Sequence, residues 1–231
     1  MNNSSGKSQP PQVTIRRLSF YLRCLNHLDS IGVKLCSSHE MAGLLHINPA
    51  QVRKDLAYFG EFGKRGVGYS VVKLRDHIIK ILGLRQNRNI GIVGAGGHLG
   101  QALALYKGFE KRNFKVVALF DIDPDVVGKP LGDAGVVQPV SSLPRITVES
   151  KIEILILTVP AKAVQEVFET IQLSNVKAVL NFAPVKLASS GNICVHNVDL
   201  VVELESLSYH LNLCYEGECQ PFFAYEVLTE L

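Results

Sequence analysis

The sequence predicts an α/β protein in two parts, an N-terminal winged helix-turn-helix followed by a Rossmann-type parallel-sheet domain. Three observations predict it. Charge is divided unequally: residues 1–88 carry 14 Lys and Arg against 5 Asp and Glu, whereas residues 89–231 carry 10 against 16. Capped helical segments and a glycine-rich basic stretch fill the first part. A strand, a glycine turn and an Ala/Leu-rich helix open the second, and the next strand ends on an acid. At 231 residues and 47% hydrophobic side chains, the chain can bury the cores of one large or two small domains. With only 19% charged residues it does not have the composition of a disordered chain.

Residues 1–14 are polar, with a single Lys and no apolar stretch, and predict a loose, disordered tail rather than a signal peptide. No apolar run approaches the roughly 18–20 residues of a membrane span, so no membrane partner is expected. Five cysteines, at 24, 36, 194, 214 and 219, are an odd number without a disulfide framework. They suit a reducing compartment, and the expected location is cytoplasmic.

From Ile15 to Ile31 apolar residues recur at helical spacing (Ile15, Leu18, Tyr21, Leu22, Leu25, Leu28), with Gly32 as the stop. Ser37-Ser38-His39-Glu40 has the form of a capping box opening a short helix, Glu40–Leu45. Asn48-Pro49 reads as N-cap plus Pro at the first helical position of a third helix running to about Tyr58. Two short helices after a longer one make a helix-turn-helix. The second offers Ala50, Gln51, Arg53 and Lys54 near its start, the amide and cations that base edges and phosphates accept in a major groove. Gly60 to Tyr69 holds four glycines in its first nine residues and reads as a hairpin whose tip presents Lys64 and Arg65. Lys64-Arg65 lacks the G-x-x-x-x-G-K-[ST] spacing of a phosphate loop. Candidate DNA contacts are therefore Ser37, Ser38, Ala50, Gln51, Arg53, Lys54, Lys64, Arg65 and Tyr69, on a basic module suited to a polyanion.

Lys73–Leu84 reads as a further helix and Gln86–Asn89 as a linker. The strand Asn89–Val93 then runs into Gly94-Ala95-Gly96-Gly97-His98-Leu99-Gly100. Such glycines let backbone approach a pyrophosphate at a helix N-terminus. The spacing admits two readings, G-x-G-x-x-x-G through Gly94, Gly96 and Gly100, or A-x-G-x-x-G through Ala95, Gly97 and Gly100. The next strand, Phe114–Phe120, ends at Asp121, where a carboxylate accepts hydrogen bonds from ribose hydroxyls and repels a 2′-phosphate, favouring NAD(H). The βα pattern repeats with a strand Ile152–Val159 leading to Pro160 and a helix Ala163–Ile171. It repeats again with Ala178–Leu180 leading to Asn181-Phe182-Ala183-Pro184. A last helix spans Val201–Leu213. Of the candidate acid/base groups His98, His196 and His210, none shows a His–Asp pairing, so no catalytic residue is assigned. Cys214-x4-Cys219 has no second pair at ligand spacing, so no metal site is expected. An oxidoreductase with an accessory basic domain, and a coenzyme A-binding protein, are the alternative readings.

From about Arg17 to Leu211 the chain resembles the bacterial redox-sensing transcriptional repressors of the Rex family. The resemblance is carried by Ala50–Leu56 with Phe59-Gly60, by Arg65–Tyr69, and by Phe120–Pro124, Thr158-Val159-Pro160-Ala161, Leu180–Pro184 and Val198-Asp199-Leu200. It implies a homodimer whose C-terminal helix is exchanged between subunits, and a palindromic operator. It also implies NADH/NAD+ sensing: NADH closes the dimer and releases DNA, while NAD+ competes. Tyr106 would then lie near the nicotinamide, Arg23 would pair with Asp199 in one cofactor-dependent state, and Leu200 takes a place where some relatives carry an aromatic. The implied division is a tail (1–14), a winged helix domain (15–86), a Rossmann NAD(H)-binding domain (87–200), and an exchanged helix with its tail (201–231). The lengthened glycine loop and the segment 214–231 depart from the family pattern.

Overall fold

The structure is a computed structural model that describes residues 9–64 and 66–216. Arg65, Cys219 and the tail expected at the C-terminus lie outside the described residues, as do residues 1–8. The described chain divides into two compact units. One runs to Arg85 and includes the residues from His210 onward; the other spans Gln86–Tyr209.

The first unit opens with α1 (Gln12–Ser30), followed by β1 (Leu35–Cys36), α2 (Ser38–Leu45) and α3 (Pro49–Ala57). β2 (Gly63–Lys64), β3 (Gly68–Ser70) and α4 (Val71–Ile81) complete it. α1 starts inside the stretch assigned to the loose tail, because Thr14 is buried and its hydroxyl is engaged by Asp55. Gly32 ends the helix as expected: at φ +80 it lets Val33 N–H reach the Leu28 carbonyl. The capping box is present, with Ser37 Oγ accepting from Glu40 N (3.1 Å) and Ser37 N donating to Glu40 Oε2 (2.6 Å). Asn48 Oδ1 accepts from Ala50 N at 2.7 Å. The wing is a three-stranded antiparallel sheet in the order β1-β3-β2, of which only the hairpin was legible. α4 begins and ends earlier than its apolar pattern suggests, closed by Gly83 at φ +68 with Leu84 N–H on the Ile79 carbonyl. Its buried Val71, Leu74 and Ile78 join α1 and α2 in one core.

The second unit is a six-stranded sheet in the order β6-β5-β4-β7-β8-β9, with every pairing parallel. Its strands are β4 (Arg88–Val93), β5 (Phe114–Asp121), β6 (Val137–Pro139), β7 (Ile152–Leu157), β8 (Ala178–Asn181) and β9 (Cys194–Asn197). The helices are α5 (His98–Ala104), α6 (Leu143–Glu149), α7 (Val164–Gln172) and α8 (Leu200–Tyr215), the last running past the unit's boundary. Arg88 and Asn89, read as linker, already belong to β4, where Arg88 N–H donates to the Asn113 carbonyl at 2.7 Å. β6, α6 and β9 had no counterpart in the sequence reading. Alternate residues of β4 enter cores on opposite faces, Val93 one and Ile90 and Ile92 the other, as a sheet covered on both sides requires. The order reverses beside β4, which places the topological switch point between β4 and β7. α8 buries none of its side chains, although Leu200, Val201, Val202, Leu204, Leu207, Tyr209 and Leu211 are all apolar and exposed.

Candidate cofactor and DNA sites

The carboxyl ends of the parallel strands bring together most residues singled out in the second unit. The loop after β4 carries Gly94 to Gly100, β5 ends on Asp121, β7 runs into Thr158-Val159-Pro160, β8 into Asn181–Pro184, and β9 into Asp199. Three glycines are demanded by geometry. Gly94 has φ +91, and a Cβ on it would lie 2.8 Å from Thr158 Oγ1. A Cβ on Gly96 would lie 2.8 Å from both methyls of Val126, and one on Gly100 only 2.1 Å from the Gly94 carbonyl oxygen. Gly97 meets nothing closer than 3.5 Å. The structure thus selects G-x-G-x-x-x-G over A-x-G-x-x-G. The last glycine lets α5 pack against the end of β4, the role close helix–strand packing gives it.

Asp121 is buried, with 8% of its surface exposed. Its Oδ2 accepts from Gly96 N–H (2.7 Å), and its Oδ1 from the N–H groups of Ile122 (2.8 Å) and Asp123 (3.0 Å). Three amides hold the carboxylate in place and one ties it to the glycine loop. Thr158 Oγ1 lies 2.9 Å from the Val93 carbonyl and 3.1 Å from that of Gly94, bridging β7 to the loop. Asn181 is fully buried and works on protein: Nδ2 donates to the Val185 carbonyl and to Asn197 Oδ1 (2.8 Å each), and Oδ1 accepts from Ala183 N. It shapes the Phe182–Pro184 turn, with Ala183 buried and Pro184 exposed. Gly97, His98 and Leu99 are exposed at the loop's lip, and Tyr106 is exposed with its ring edge-on to Phe109 (5.1 Å). Asp199 precedes α8 and accepts from Val201 N–H at 3.0 Å, so Leu200 is that helix's first residue.

In the first unit, α3 and the wing enclose a cleft of about 670 Å³ that gathers Ser37, Ser38, Arg53, Lys64 and Tyr69. Arg53 donates to Ser38 Oγ at 2.9 Å, which orients the guanidinium. Burial pushes the Tyr69 phenol up. Lys54 and Ala50 are exposed, but Gln51 turns inward and donates from Nε2 to Asp55 Oδ1 (2.8 Å).

Asp55 is the residue sequence reasoning missed. It is fully buried and receives Arg17 in a two-pronged contact (Nε to Oδ2, 2.5 Å; Nη2 to Oδ1, 2.8 Å), together with Tyr21 OH (2.7 Å) and Thr14 Oγ1 (3.1 Å). Burial alone would raise its pKa; the hydrogen bonds from Arg17, Tyr21 and Gln51 outweigh that and hold it below the ordinary carboxylate value. The signal was present: with Val52 and Leu56, Asp55 occupies the i, i+3, i+4 face that α3 buries. On α1, Arg23 stacks its guanidinium over Phe20, 5.8 Å from the ring centre.

Two protein-family models match. The one described as "Putative DNA-binding protein N-terminus" covers residues 11–57, and the one described as "CoA binding domain" covers residues 85–185. "Redox-sensing transcriptional repressor Rex" of Syntrophomonas wolfei subsp. wolfei is 47% identical over 203 residues, 88% of this chain and 96% of the relative. The protein of the same description from Desulforamulus reducens is 45% identical over the same shares. The chain belongs to the Rex family. Its Rex-family architecture is matched by "Crystal structure of RSP in complex with beta-NAD+ and operator DNA", at TM-score 0.83 and 35% identity, covering 92% of this chain and 97% of that one. "Crystal structure of RSP in complex with beta-NADH" matches at TM-score 0.79 and 34% identity, covering 92% and 99%.

Proposed function

We propose that this Rex-family chain is a DNA-binding transcriptional repressor that senses the NADH/NAD+ ratio, with NADH binding closing a dimer and releasing a palindromic operator. The observation that carries the reading is Asp121, an amide-held carboxylate at the end of β5 that ties the glycine loop, at the position from which a dinucleotide fold addresses the adenosine ribose. NADH and NAD+ differ by one hydride and one positive charge on the nicotinamide, and an apolar pocket prefers the neutral ring because an unpaired buried cation is costly. Moving a DNA-competent population from 99:1 to 1:99 requires about 5.5 kcal/mol, or about 2.8 kcal/mol from each of two sites. In this reading Gly94–Gly100, Asp121, Thr158–Pro160 and Phe182–Pro184 surround the cofactor, with Asn181 shaping their turn. Tyr106 and Leu200 adjoin the nicotinamide, and Arg23 with Asp199 forms the switch pair. Ser37, Ser38, Arg53, Lys54, Lys64 and Tyr69 contact DNA. The exposed apolar α8 supports exchange of this helix between two subunits. Functionally the chain divides into 15–86, 87–200 and 201–231, acts in the cytoplasm and catalyses no reaction.

The match to a coenzyme A-binding model supports a second ligand. Coenzyme A carries a 3′-phosphate on its ribose, and the Asp121 charge disfavours it. Fluorescence anisotropy on a palindromic duplex selected from random sequence, titrated with NADH, NAD+, NADPH and coenzyme A, tests both readings. Release by NADH alone, without NADH consumption, is the expected result. Indifference to all four, or release by coenzyme A only, overturns the nicotinamide reading, and substrate-dependent NADH oxidation would restore the dehydrogenase.

A further inference from the structure

We propose that a basic groove along α4 is a second phosphate-backbone contact, engaging duplex that flanks the sequence read by α3; this rests on the DNA-binding reading above. The groove holds about 290 Å³ and is lined by Lys73, Asp76, His77, Lys80 and Arg85, all exposed. Lys73, His77 and Lys80 stand at i, i+4 and i+7, on one side of a helix whose Val71, Leu74 and Ile78 are buried in the core. The one carboxylate, Asp76, lies 3.7 Å from Arg75, which itself binds Asp29. Among the described residues no ion pair engages Lys73, Lys80 or Arg85. Three cations against the single Asp76 carboxylate leave the groove net positive, and a polyanion meets that charge while releasing its own counterions.

One ring contact links the groove to the recognition cleft. His77 donates from Nδ1 to the Lys73 carbonyl (2.9 Å) and meets the Phe62 ring edge-on at 5.2 Å, and Phe62 lines the cleft between α3 and the wing. From Lys73 to Lys80 the helix rises about 10 Å. That matches about three phosphate steps at about 3.4 Å of axis per strand.

The full chain, with Lys73, Lys80 and Arg85 all replaced by Gln, would be compared with wild type on two duplexes. One is the selected palindrome alone; the other extends it by ten base pairs on each side. Wild type should bind the longer duplex more tightly and with a steeper salt dependence. The variant should match wild type on the short duplex and lose the gain on the long one. Its slope of log K against log salt should fall by about 0.9 for each phosphate contact removed. Equal behaviour of variant and wild type on both duplexes, or equal loss on both, overturns the flanking contact. Failure of wild type to bind either duplex would instead overturn the DNA-binding reading beneath it.

Discussion

Asp55 and Asp121 are both buried carboxylates, one in each unit, and the protein satisfies them in different ways. Asp55 meets a guanidinium, a phenol, an amide and a hydroxyl, all from side chains. Asp121 meets three backbone N–H groups and, among the described residues, no cation. The first arrangement cancels the charge and makes a strut between α1 and α3. The second leaves the carboxylate tied to the glycine loop by backbone alone, the arrangement on which the proposed ribose contact rests. The residue type and its burial are alike; the partners decide whether the carboxylate braces two helices or holds a loop.

Removing the strut should have the largest effect. Asp55→Ala leaves Arg17 without its partner and should lower stability by about 3–5 kcal/mol in urea unfolding. Because the folded pKa of Asp55 is depressed, its contribution is present above about pH 4 and lost as pH falls through that folded value. Asp55→Asn should therefore flatten the acid limb of the stability curve; an unchanged limb would assign acid sensitivity elsewhere. The proposed ribose contact is tested by Asp121→Asn, which places an amide NH₂ toward one backbone donor. About 1.5–3 kcal/mol of NADH-dependent DNA release should be lost and the bias against NADPH relaxed, read by anisotropy; retained discrimination would break the contrast.

The backbone side of the comparison can be sharpened with two alanines. Gly100→Ala must displace α5 from the Gly94 carbonyl and should weaken the NADH response by about 1–3 kcal/mol, while DNA binding without cofactor persists. Gly97→Ala, with φ −73 and an open position, should leave the response unchanged. A weakened response in Gly97→Ala would restore the other glycine spacing, which shares Gly100 but requires Gly97. The smallest change, Thr14→Val, removes one of the hydrogen bonds to Asp55 and should cost about 1 kcal/mol in thermal unfolding.

Local chemistry made much of this fold legible. The Ser37 and Asn48 caps, Gly32 and the glycine hairpin each act within a few residues, so their spacing survives in the sequence. β6 has three residues, too few to show alternation, and β9 reads Cys-Val-His-Asn, with little strand bias. In α6, Pro144 sits in the first turn and Ile146, Thr147 and Val148 follow consecutively, three β-branched residues that mask a seven-residue helix. In the cofactor site, Asp121 was legible because strand and acid adjoin. Val126 over Gly96 and Asn197 against Asn181 depend on the fold, and so does Arg17 on Asp55, 38 residues apart.

The Arg17–Asp55 clamp also has a mechanical side. α1 has 19 residues, an arm about 28 Å long. The clamp grips this arm near one end, and Arg23 lies about 9 Å further along its axis. Two parallel hydrogen bonds between planar groups resist twisting as well as separation. If Arg23 is the switch residue proposed above, a pull on it would reach α3 as a rotation of one stiff piece.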